Sequence, residues 1–508
     1  MKKVESGFAR VFGAQPALPR GIVVSVECDI GKGLHAFSIV GLPDKSVEEA
    51  KDRISSAIKN NNLESPKRSN KKIVLSLAPA TLKKEGAVFD VPLALSFLLA
   101  SRQIAFEPEK KLFAGELGLD GTIRPIRGAL AIASAAQKAG FKDVYVPEEN
   151  AEEAALVSGI AVYGVSSLAG LLKALEGKSR PMTRRKNIPS SDDTSFDDIR
   201  GQESAKRALV IALSGGHNIA LYGPPGTGKT MLARAASALL PDLDDDAMIE
   251  VTTIHSLAGA LDTATIRRPP LRSPHHTSSY ASLIGGGSGM VRPGEATLAH
   301  RGILFLDEFP EFHRDVIQAL REPLEDGVVS IARAKASAVY PANFLLIAAL
   351  NPCPCGFWGS GRCECMPHAI EKYRRKISGP IADRIDMWVT VGTMPLSALS
   401  TKAKRSLGET GAARKAITEA RATQSKRFAN SERVQTNADM KARDIEMYAL
   451  LENESEKALQ EAAERLKLSA RGYHRTIKLA RTIADLAQSK TIQTPHMLEA
   501  LQYRARDI

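Results

Sequence analysis

The most constraining feature of the sequence is the word Gly223-Pro224-Pro225-Gly226-Thr227-Gly228-Lys229-Thr230, which fits the pattern G-x-x-x-x-G-K-[ST]. The apolar run 218–222 before it predicts a buried strand, and residues 231–236 after it predict a helix. Glycines here allow backbone N–H groups to surround phosphate oxygens, and the helix N-terminus adds the positive end of its dipole. The word therefore predicts a phosphate-binding loop, or P-loop. Lys229 would reach the β- and γ-phosphates of a nucleotide, and the Thr230 hydroxyl would bind Mg²⁺.

A second apolar run, residues 302–306, ends in two carboxylates, Asp307 and Glu308. In open α/β sheets, ligands lie at the carboxyl ends of the strands, so we expect both acids near the P-loop. Asp307 is expected to hold Mg²⁺ with Thr230, and Glu308 to polarise the water that attacks the γ-phosphate. The alternative, two solvated acids at a strand end, is disfavoured by the P-loop upstream. The predicted activity is ATP hydrolysis with Mg²⁺.

Length and composition exclude several classes of protein. A chain of 508 residues exceeds one hydrophobic core, so about two to four domains are expected. The apolar run 91–100 is far shorter than the roughly 20 residues of a membrane-spanning helix. No apolar core of a signal peptide follows Met1. We therefore expect a cytoplasmic protein without a membrane segment, whose net charge of +12 allows a polyanionic partner.

Composition divides the chain into four parts. Residues 1–175 predict an α/β domain, and residues 176–195 have the charge, Pro and Ser content of an exposed linker, whose basic cluster is either solvated or a nucleic-acid contact. Residues 196–395 carry the nucleotide motifs, and residues 396–508 predict helices throughout. In the first part, strand-like runs lie at 21–27, 36–40 and 72–77, and helical patterns at about 46–61, 90–101, 129–139 and 149–158.

A hairpin is predicted downstream of Asp307. Residues 313–324 predict a helix, residues 328–340 two short strands about a basic tip, and residues 343–350 a core strand. Arg333 and Lys335 at the tip suit contact with a DNA backbone, with a plain solvated hairpin as the alternative.

Four of the five cysteines fall in one Gly-rich loop, residues 353–365. Four soft ligands on a short loop suit tetrahedral Zn²⁺, whose binding would fold a loop with little apolar core. The C-x-C spacing is less diagnostic than C-x-x-C, and free reduced thiols remain the alternative. The predicted ligands are Cys353, Cys355, Cys363 and Cys365.

The segment between Lys229 and Asp307 is longer than a strand–helix–strand unit requires, which indicates an insertion. It contains His275-His276, two histidines that could serve as metal ligands. No third ligand lies nearby at metal spacing, so a structural or pore-loop role is favoured.

Several words in residues 1–175 resemble one family. Gly41-Leu42-Pro43-Asp44, residues 84–92 and Pro125-Ile126-Arg127-Gly128 are similar to the N-terminal domain of the ComM/YifB family of magnesium-chelatase-like AAA+ ATPases. That domain is in turn similar to the proteolytic domain of Lon, which implies a Lon-protease-like α/β fold. Alignment on the Lon words places Val88 at the nucleophile and Ile132 at its lysine partner. Neither side chain can attack a carbonyl, so an inactive scaffold or binding domain is expected.

Residues 196–395 resemble the AAA+ core of the same family. Residues 196–202 resemble the stretch that lies against adenine, and the insertion resembles the helix-2 insert of the clade that holds magnesium chelatases and MCM helicases. The resemblance implies that the hairpin projects into the pore of a ring. Asn351 matches the sensor-1 residue, and its strand would place the amide next to Glu308 to orient the water.

Two arginines complete the resemblance. Residues 378–386, S-G-P-I-A-D-R-I-D, resemble a family word whose arginine reaches the γ-phosphate of the neighbouring subunit, which assigns that role to Arg384. An ion pair of Arg384 with Asp383 or Asp386 is the alternative. Ser469-Ala470-Arg471-Gly472 resembles the sensor-2 word, which implies that Arg471 touches nucleotide from a C-terminal helical lid.

The resemblance covers essentially the whole chain. It implies a hexameric ring that couples ATP hydrolysis to movement on single-stranded and branched DNA. Such a motor promotes branch migration of recombination intermediates during natural transformation. The alternative is a protein-remodelling or magnesium-chelatase-like motor that acts on partner proteins.

Overall fold

The computed structural model describes residues 7–17, 21–68, 71–178, 180–182, 195–261, 263, 265–286, 292–333, 336–359, 361–377, 379–393, 408–431 and 433–504. The chain forms two compact units. The first contains Met1–Ile188 and Asp244–Ile266, and the second contains Pro189–Leu243 and Arg267–Ile508. Among the helices of the described ranges, none has the length and apolar character needed to span a membrane.

The first unit is built on a seven-stranded mixed sheet. Its strands, with one small extra hairpin, are β1 Gly7–Gln15, β2 Ile22–Lys32, β3 Ala36–Val40, β4 Lys71–Ala78, β5 Lys111–Phe113, β6 Glu116–Leu117, β7 Ile123–Arg124, β8 Asp143–Pro147 and β9 Ala161–Val165. The order in the large sheet is β3-β4-β2-β1-β5-β8-β9. The pairs β1/β2 and β2/β4 are antiparallel, and the other neighbours are parallel. The strands predicted at 21–27, 36–40 and 72–77 are confirmed.

Within the described residues up to 178, the α-helices of this unit are α1 Lys45–Asn60, α2 Asp90–Ala100, α3 Ala129–Lys138, α4 Ala151–Ala154 and α5 Leu168–Lys173. The Asp44 side chain caps α1 by accepting a 2.9 Å hydrogen bond from Val47 N, and α2 is buried along nearly its whole length. The helix predicted at 149–158 is too long. Only α4 and a preceding 3₁₀ turn form, and a turn with Gly159 at φ +80° leads into β9.

The second unit contains a five-stranded parallel sheet and two further hairpins. The strands are β10 Ile219–Tyr222, β11 Leu271–Arg272, β12 Gly285–Gly286, β13 Arg292–Pro293, β14 Ile303–Leu306, β15 Val328–Arg333, β16 Ala336–Pro341, β17 Leu345–Leu350 and β18 Met387–Thr390. The order in the sheet is β11-β14-β17-β10-β18, with every neighbouring pair parallel. Since β10 pairs with β17 on one side and β18 on the other, the chain order reverses beside it. Ligands bind at such a switch point in open α/β sheets.

The remaining helices are α6 Glu203–Gly215, α7 Lys229–Leu239, α8 Asp245–Ala258, α9 Tyr280–Ile284, α10 Glu295–Leu298, α11 Arg314–Ala319, α12 Arg321–Asp326, α13 Pro367–Arg374, α14 Gly379–Ala382, α15 Glu409–Arg427, α16 Ala442–Tyr448, α17 Asn453–Arg465, α18 Ala470–Leu486 and α19 Thr494–Gln502. The single helix predicted at 313–324 is wrong. Two short helices form instead, because Pro323 lacks an N–H and its ring would clash with the carbonyl of Ala319 in a continuous helix.

The hairpin predicted at 328–340 is confirmed as the antiparallel pair β15/β16. Of the two residues proposed at its tip, Lys335 lies outside the described residues, and only the backbone of Arg333 is described.

The C-terminal helices share one hydrophobic core with the parallel sheet. The predicted helical character of this part of the chain is confirmed where it is described. One hydrophobic cluster contains buried residues of the sheet, of α7 and of these helices. It includes Ile219 of β10, Leu232 of α7, and Ile417, Ile477, Ile483 and Met497 of the C-terminal helices.

Residues 244–266 belong to the first unit although they follow the P-loop in sequence. Within that unit, α8 contacts α3, and Ser256 Oγ accepts a 2.9 Å hydrogen bond from Gly128 N. Gly128 has φ +76°, and a Cβ atom there would lie 2.7 Å from the Leu257 side chain. This segment lies inside the range 196–395 assigned from the sequence to the nucleotide-binding core, and the bounds of that core stay a prediction.

Candidate nucleotide-binding site

The P-loop lies between β10 and α7, where the sequence predicted it. Gly223 N donates a 3.1 Å hydrogen bond to Leu350 O of the neighbouring strand. A Cβ atom at Gly223 would lie 2.1 Å from Val391 O, so only glycine fits this close approach. Gly228, at φ +90°, is the N-cap residue before α7, so the first N–H groups of the helix lie at the loop.

Lys229 is buried beneath the loop, with a side chain that connects it to the sheet. Its Nζ donates to Gly223 O at 2.7 Å, to Pro224 O at 2.8 Å and to Asn351 Oδ1 at 3.1 Å. Burial lowers the pKa of Lys229, and the nearby charges of Asp307 and Glu308 act in the opposite direction. The structure thus brings the P-loop lysine and the predicted sensor residue into direct contact.

Thr230 and Asp307 face each other at the start of α7. Thr230 Oγ1 donates a 2.7 Å hydrogen bond to Asp307 Oδ2, and Asp307 Oδ1 accepts one of 2.9 Å from Glu308 N. A hydroxyl and a carboxylate oxygen are hard ligands of the kind that Mg²⁺ takes. These two side chains fit the magnesium role predicted for them.

Glu308 stands at the turn that ends β14, with its backbone at φ +50°. Its side chain is about half exposed, and Oε2 lies 3.2 Å from His276 Nδ1. The sequence favours only a structural or pore-loop role for His276 and gives no indication of this contact. No sequence signal links the two positions, because the fold of the long insertion brings them together.

Arg384 forms an ion pair with Glu325, and its Nη1 donates a 2.5 Å hydrogen bond to Pro380 O. Arg471 contacts the same carboxylate, with Nη2 3.6 Å from Glu325 Oε1. Asp383 and Asp386, the alternative partners expected for Arg384, contact other residues instead. Asp383 contacts Arg475 at 3.4 Å and Asp386 lies 3.6 Å from His217. An intrachain ion pair therefore exists, but with Glu325, a residue for which the sequence indicates no role.

Both arginines line a cavity of about 640 Å³ within the second unit. Its acidic side chains are Glu325, Asp326, Asp383, Asp386 and Asp439, and its further basic ones are Arg433, Lys441, Arg475 and Lys478. Its lining contains no residue of the P-loop and neither Asp307 nor Glu308. The structure thus places Arg384 and Arg471 together, and contact of either one with nucleotide stays a prediction.

The four loop cysteines come together as a cluster. Cys353 Sγ lies 3.3 Å from Cys355 Sγ and 3.6 Å from Cys363 Sγ, and the Cys355 and Cys363 sulfurs are 3.6 Å apart. With Cys365, all four sulfur atoms lie within 4.8 Å of one another. A tetrahedron with Zn–S distances of about 2.3 Å separates its sulfurs by about 3.8 Å. The cluster has the donors and spacing to hold a soft metal ion.

Comparisons with known proteins match this chain along nearly its whole length. The models "Subunit ChlI of Mg-chelatase", "Magnesium chelatase, subunit ChlI" and "Magnesium chelatase, subunit ChlI C-terminal" match residues 26–150, 195–399 and 408–504. Uncharacterized protein YifB of Salmonella typhimurium is 40% identical over 491 residues, which cover 95% of this chain and 94% of YifB. Competence protein ComM of Haemophilus influenzae is 39% identical over 493 residues, covering 95% and 94% of the two chains. The chain belongs to the ComM/YifB family of magnesium-chelatase-like proteins.

The similarity of this ComM/YifB family member to Lon raises the hypothesis that it is a protease, and two residues of the first unit test it. Lon protease 2 of Bacillus subtilis is 29% identical over 221 residues, 38% of this chain and 40% of the protease. Val88 and Ile132, the residues aligned with the Lon dyad, are both buried in the core of this unit. Their apolar side chains supply neither a nucleophile nor a base.

Membership in this AAA+ family agrees with the geometry of the P-loop, Thr230 and Asp307. Together they indicate an ATPase that uses ATP and Mg²⁺.

Proposed function

We propose that this protein is a ring-forming, ATP-driven DNA motor, a helicase or branch-migration factor that acts on recombination intermediates during natural transformation in the cytoplasm. The proposal of a ring-shaped oligomer depends on one observation. Lys229, Asp307, Glu308 and their partners assemble in one chain, whereas the two predicted arginines line a cavity without any P-loop residue. A second subunit that docks its P-loop on this cavity would complete the site, and closure of such contacts gives a homo-oligomer, expected to be a hexamer.

The proposed chemistry divides among the described side chains. Residues 223–230 cradle the phosphates of ATP, and Thr230 with Asp307 holds Mg²⁺, which neutralises charge on the phosphate oxygens. Glu308 accepts a proton from the attacking water, and the Asn351 amide orients that water. Arg384 from the adjacent subunit stabilises charge that develops on the γ-phosphoryl oxygens, and Arg471 contacts the nucleotide.

DNA is the proposed substrate of the motor because the chain is basic and has a hairpin between Asp307-Glu308 and the core strand β17. The net charge is +12, β15 ends at Arg333, and in the sequence Lys335 follows before β16 begins. Basic side chains on such a tip would contact the backbone of single-stranded or branched DNA in the pore. The name of the Haemophilus relative, a competence protein, agrees with the proposal that the motor acts on DNA.

The cysteine cluster is the proposed site of one Zn²⁺ ion. Four thiolates are the usual ligands of a closed structural zinc site. The sulfur separations of 3.3 to 3.6 Å among Cys353, Cys355 and Cys363 need little change to surround the ion.

The test is ATP turnover by the purified chain with no DNA, with single-stranded DNA and with forked DNA, together with its native mass in the presence of ATP. We expect assembly into a ring and stimulation by both DNAs, with displacement of a strand from a branched substrate. Turnover by a monomer that ignores both DNAs would overturn the proposal.

A second candidate is a magnesium-chelatase-like motor that remodels partner proteins. The match of three magnesium chelatase models along the chain favours it. The same assay separates the two candidates, because this motor would assemble and hydrolyse ATP without responding to DNA. Its turnover would instead rise with a protein partner.

A further inference from the structure

The cysteine loop packs directly on the P-loop. Gly356, at φ +83°, lies so near the P-loop that a Cβ atom there would be 2.6 Å from Pro225 Cδ and 3.0 Å from its Cγ. Gly356 N donates a 2.9 Å hydrogen bond to Cys353 O, so this contact belongs to a turn that starts at the first cysteine. Because this turn packs against Pro225, a shift of the turn would displace Pro225 as well.

A second connection joins the loop to the P-loop from the other side. Trp358 N donates to Cys353 Sγ at 3.3 Å, and the Arg374 guanidinium lies over the Trp358 ring, 4.2 Å from its centre. The positive charge of Arg374 also acts on Tyr222, the last residue before the P-loop, where it opposes the rise in the Tyr222 pKa that burial causes. The cysteine loop thus contacts Pro225 directly and is linked to Tyr222 through Arg374 of α13.

A third connection runs through the main chain. Asn351 contacts Lys229 and lies only two residues before Cys353, which is completely buried. The first cysteine thus anchors the segment that holds the sensor amide against the P-loop lysine.

Burial alone gives this loop little stability. Between Asn351 and α13 the described residues contain neither helix nor strand, and of these only Pro352, Cys353 and Gly356 are buried. A loop of this kind needs a cross-link to keep one conformation, and the sulfur cluster is the group able to provide it.

We propose that a zinc ion held by the four cysteines is the structural support of the P-loop, so that nucleotide affinity depends on metal content. The inference rests on the proposed function only in requiring that nucleotide binds at residues 223–230. Zinc closes the loop, the loop holds the Gly356 turn against Pro225, and the P-loop keeps its phosphate-binding form before nucleotide arrives.

The first experiment measures zinc by mass spectrometry and the Kd of a fluorescent ATP analogue with Mg²⁺, on protein purified with reductant and zinc. The wild-type chain is expected to carry about one zinc ion. Cys363→Ser/Cys365→Ser should lose the zinc and bind the analogue at least about tenfold more weakly. The control is Cys28→Ser, at the fifth cysteine, which lies buried in β2 of the other unit and should keep both properties. Wild-type protein without zinc, or a zinc-free double variant with wild-type affinity, would overturn the proposal.

A second pair of variants separates the packing contact from the metal. Gly356→Ala should retain zinc but bind the analogue at least about tenfold more weakly, since its methyl group strikes Pro225. Gly361→Ala is the matched control, because Gly361 also has a positive φ, +71°, yet no atom lies within 4 Å of a Cβ placed there. Equal affinities of these two variants would contradict the proposal.

Failure of the proposed function gives a different result. In that case wild-type and Lys229→Ala proteins would bind the analogue equally poorly while zinc content still follows the cysteines.

Discussion

Lys229 Nζ donates a 3.1 Å hydrogen bond to Asn351 Oδ1, so the P-loop lysine and the residue that ends the adjacent strand form one connected group. The register of β10 against β17 produces this contact, because Tyr222 pairs with Leu350 and the next residues of both chains leave the sheet together. The buried ammonium group is thereby held against the loop by an amide and two carbonyls. A phosphate entering the loop would meet a cation that is already in place.

Lys229→Ala and Glu308→Gln should affect different steps. Loss of the buried ammonium should abolish nucleotide binding, because no cation of the loop would then contact the β- and γ-phosphates. Glu308→Gln should keep nucleotide affinity but lower kcat at least about 100-fold, since an amide cannot accept the proton from water. Nucleotide titration and single-turnover hydrolysis measure the two effects. Equal loss of affinity in both variants would contradict these roles.

Arg384→Ala should lower turnover at least about 100-fold if the guanidinium acts on the neighbour's γ-phosphate. Mixed with Glu308→Gln subunits, it should regain activity, because some interfaces would pair an intact arginine with an intact glutamate. Arg433→Ala is the control, since Arg433 lines the same cavity but pairs with Asp444 at 3.1 Å. Mixtures that are no more active than the separate variants would place the arginine within its own chain.

His276→Ala should reduce kcat roughly tenfold with little change in nucleotide affinity. His276 Nδ1 lies 3.2 Å from Glu308 Oε2, and one orienting hydrogen bond is worth about 1.4 kcal/mol, which corresponds to that factor. His276→Gln should recover part of the loss because its amide also donates. The neighbouring His275→Ala provides the control. A rise in Kd that accounts for the whole loss would assign His276 to binding instead.

His496 should make the second unit less stable in mild acid. Its Nδ1 accepts a 3.1 Å hydrogen bond from Gln493 N, and burial, followed by the charge of Arg481, lowers the pKa of His496. The folded state therefore binds this proton less readily than the unfolded chain, whose histidine pKa is about 6.5. Stability is retained above that pH and falls as the pH drops below it.

Urea unfolding at pH 7.5 and pH 5.5 measures this effect. The loss of unfolding free energy between the two pH values should be smaller in His496→Gln than in the wild type. His368→Gln, at an exposed position, is the control and should follow the wild type. An identical pH dependence of His496→Gln and wild type would exclude the effect.

Much of the nucleotide site could be predicted from sequence because its parts are local. A strand, a glycine-rich turn and a helix follow one another at residues 219–239, and their order alone brings backbone N–H groups and Lys229 to one place. Asp307 likewise follows an apolar strand whose parallel pairing sends its end to the same edge of the sheet. Four cysteines within residues 353–365 also predicted a cluster, because four soft ligands on one loop suit a single metal ion.

Other relationships were decided only by tertiary structure. His276 beside Glu308, Glu325 between two arginines, and Gly356 against Pro225 each join residues whose spacing in sequence follows no local period. The membership of residues 244–266 in the first unit is of the same kind. Sequence patterns determine which segments become strands, helices and tight turns, because those depend on neighbouring residues. The packing of whole elements determines which distant side chains meet, and these contacts form only when the complete core is buried.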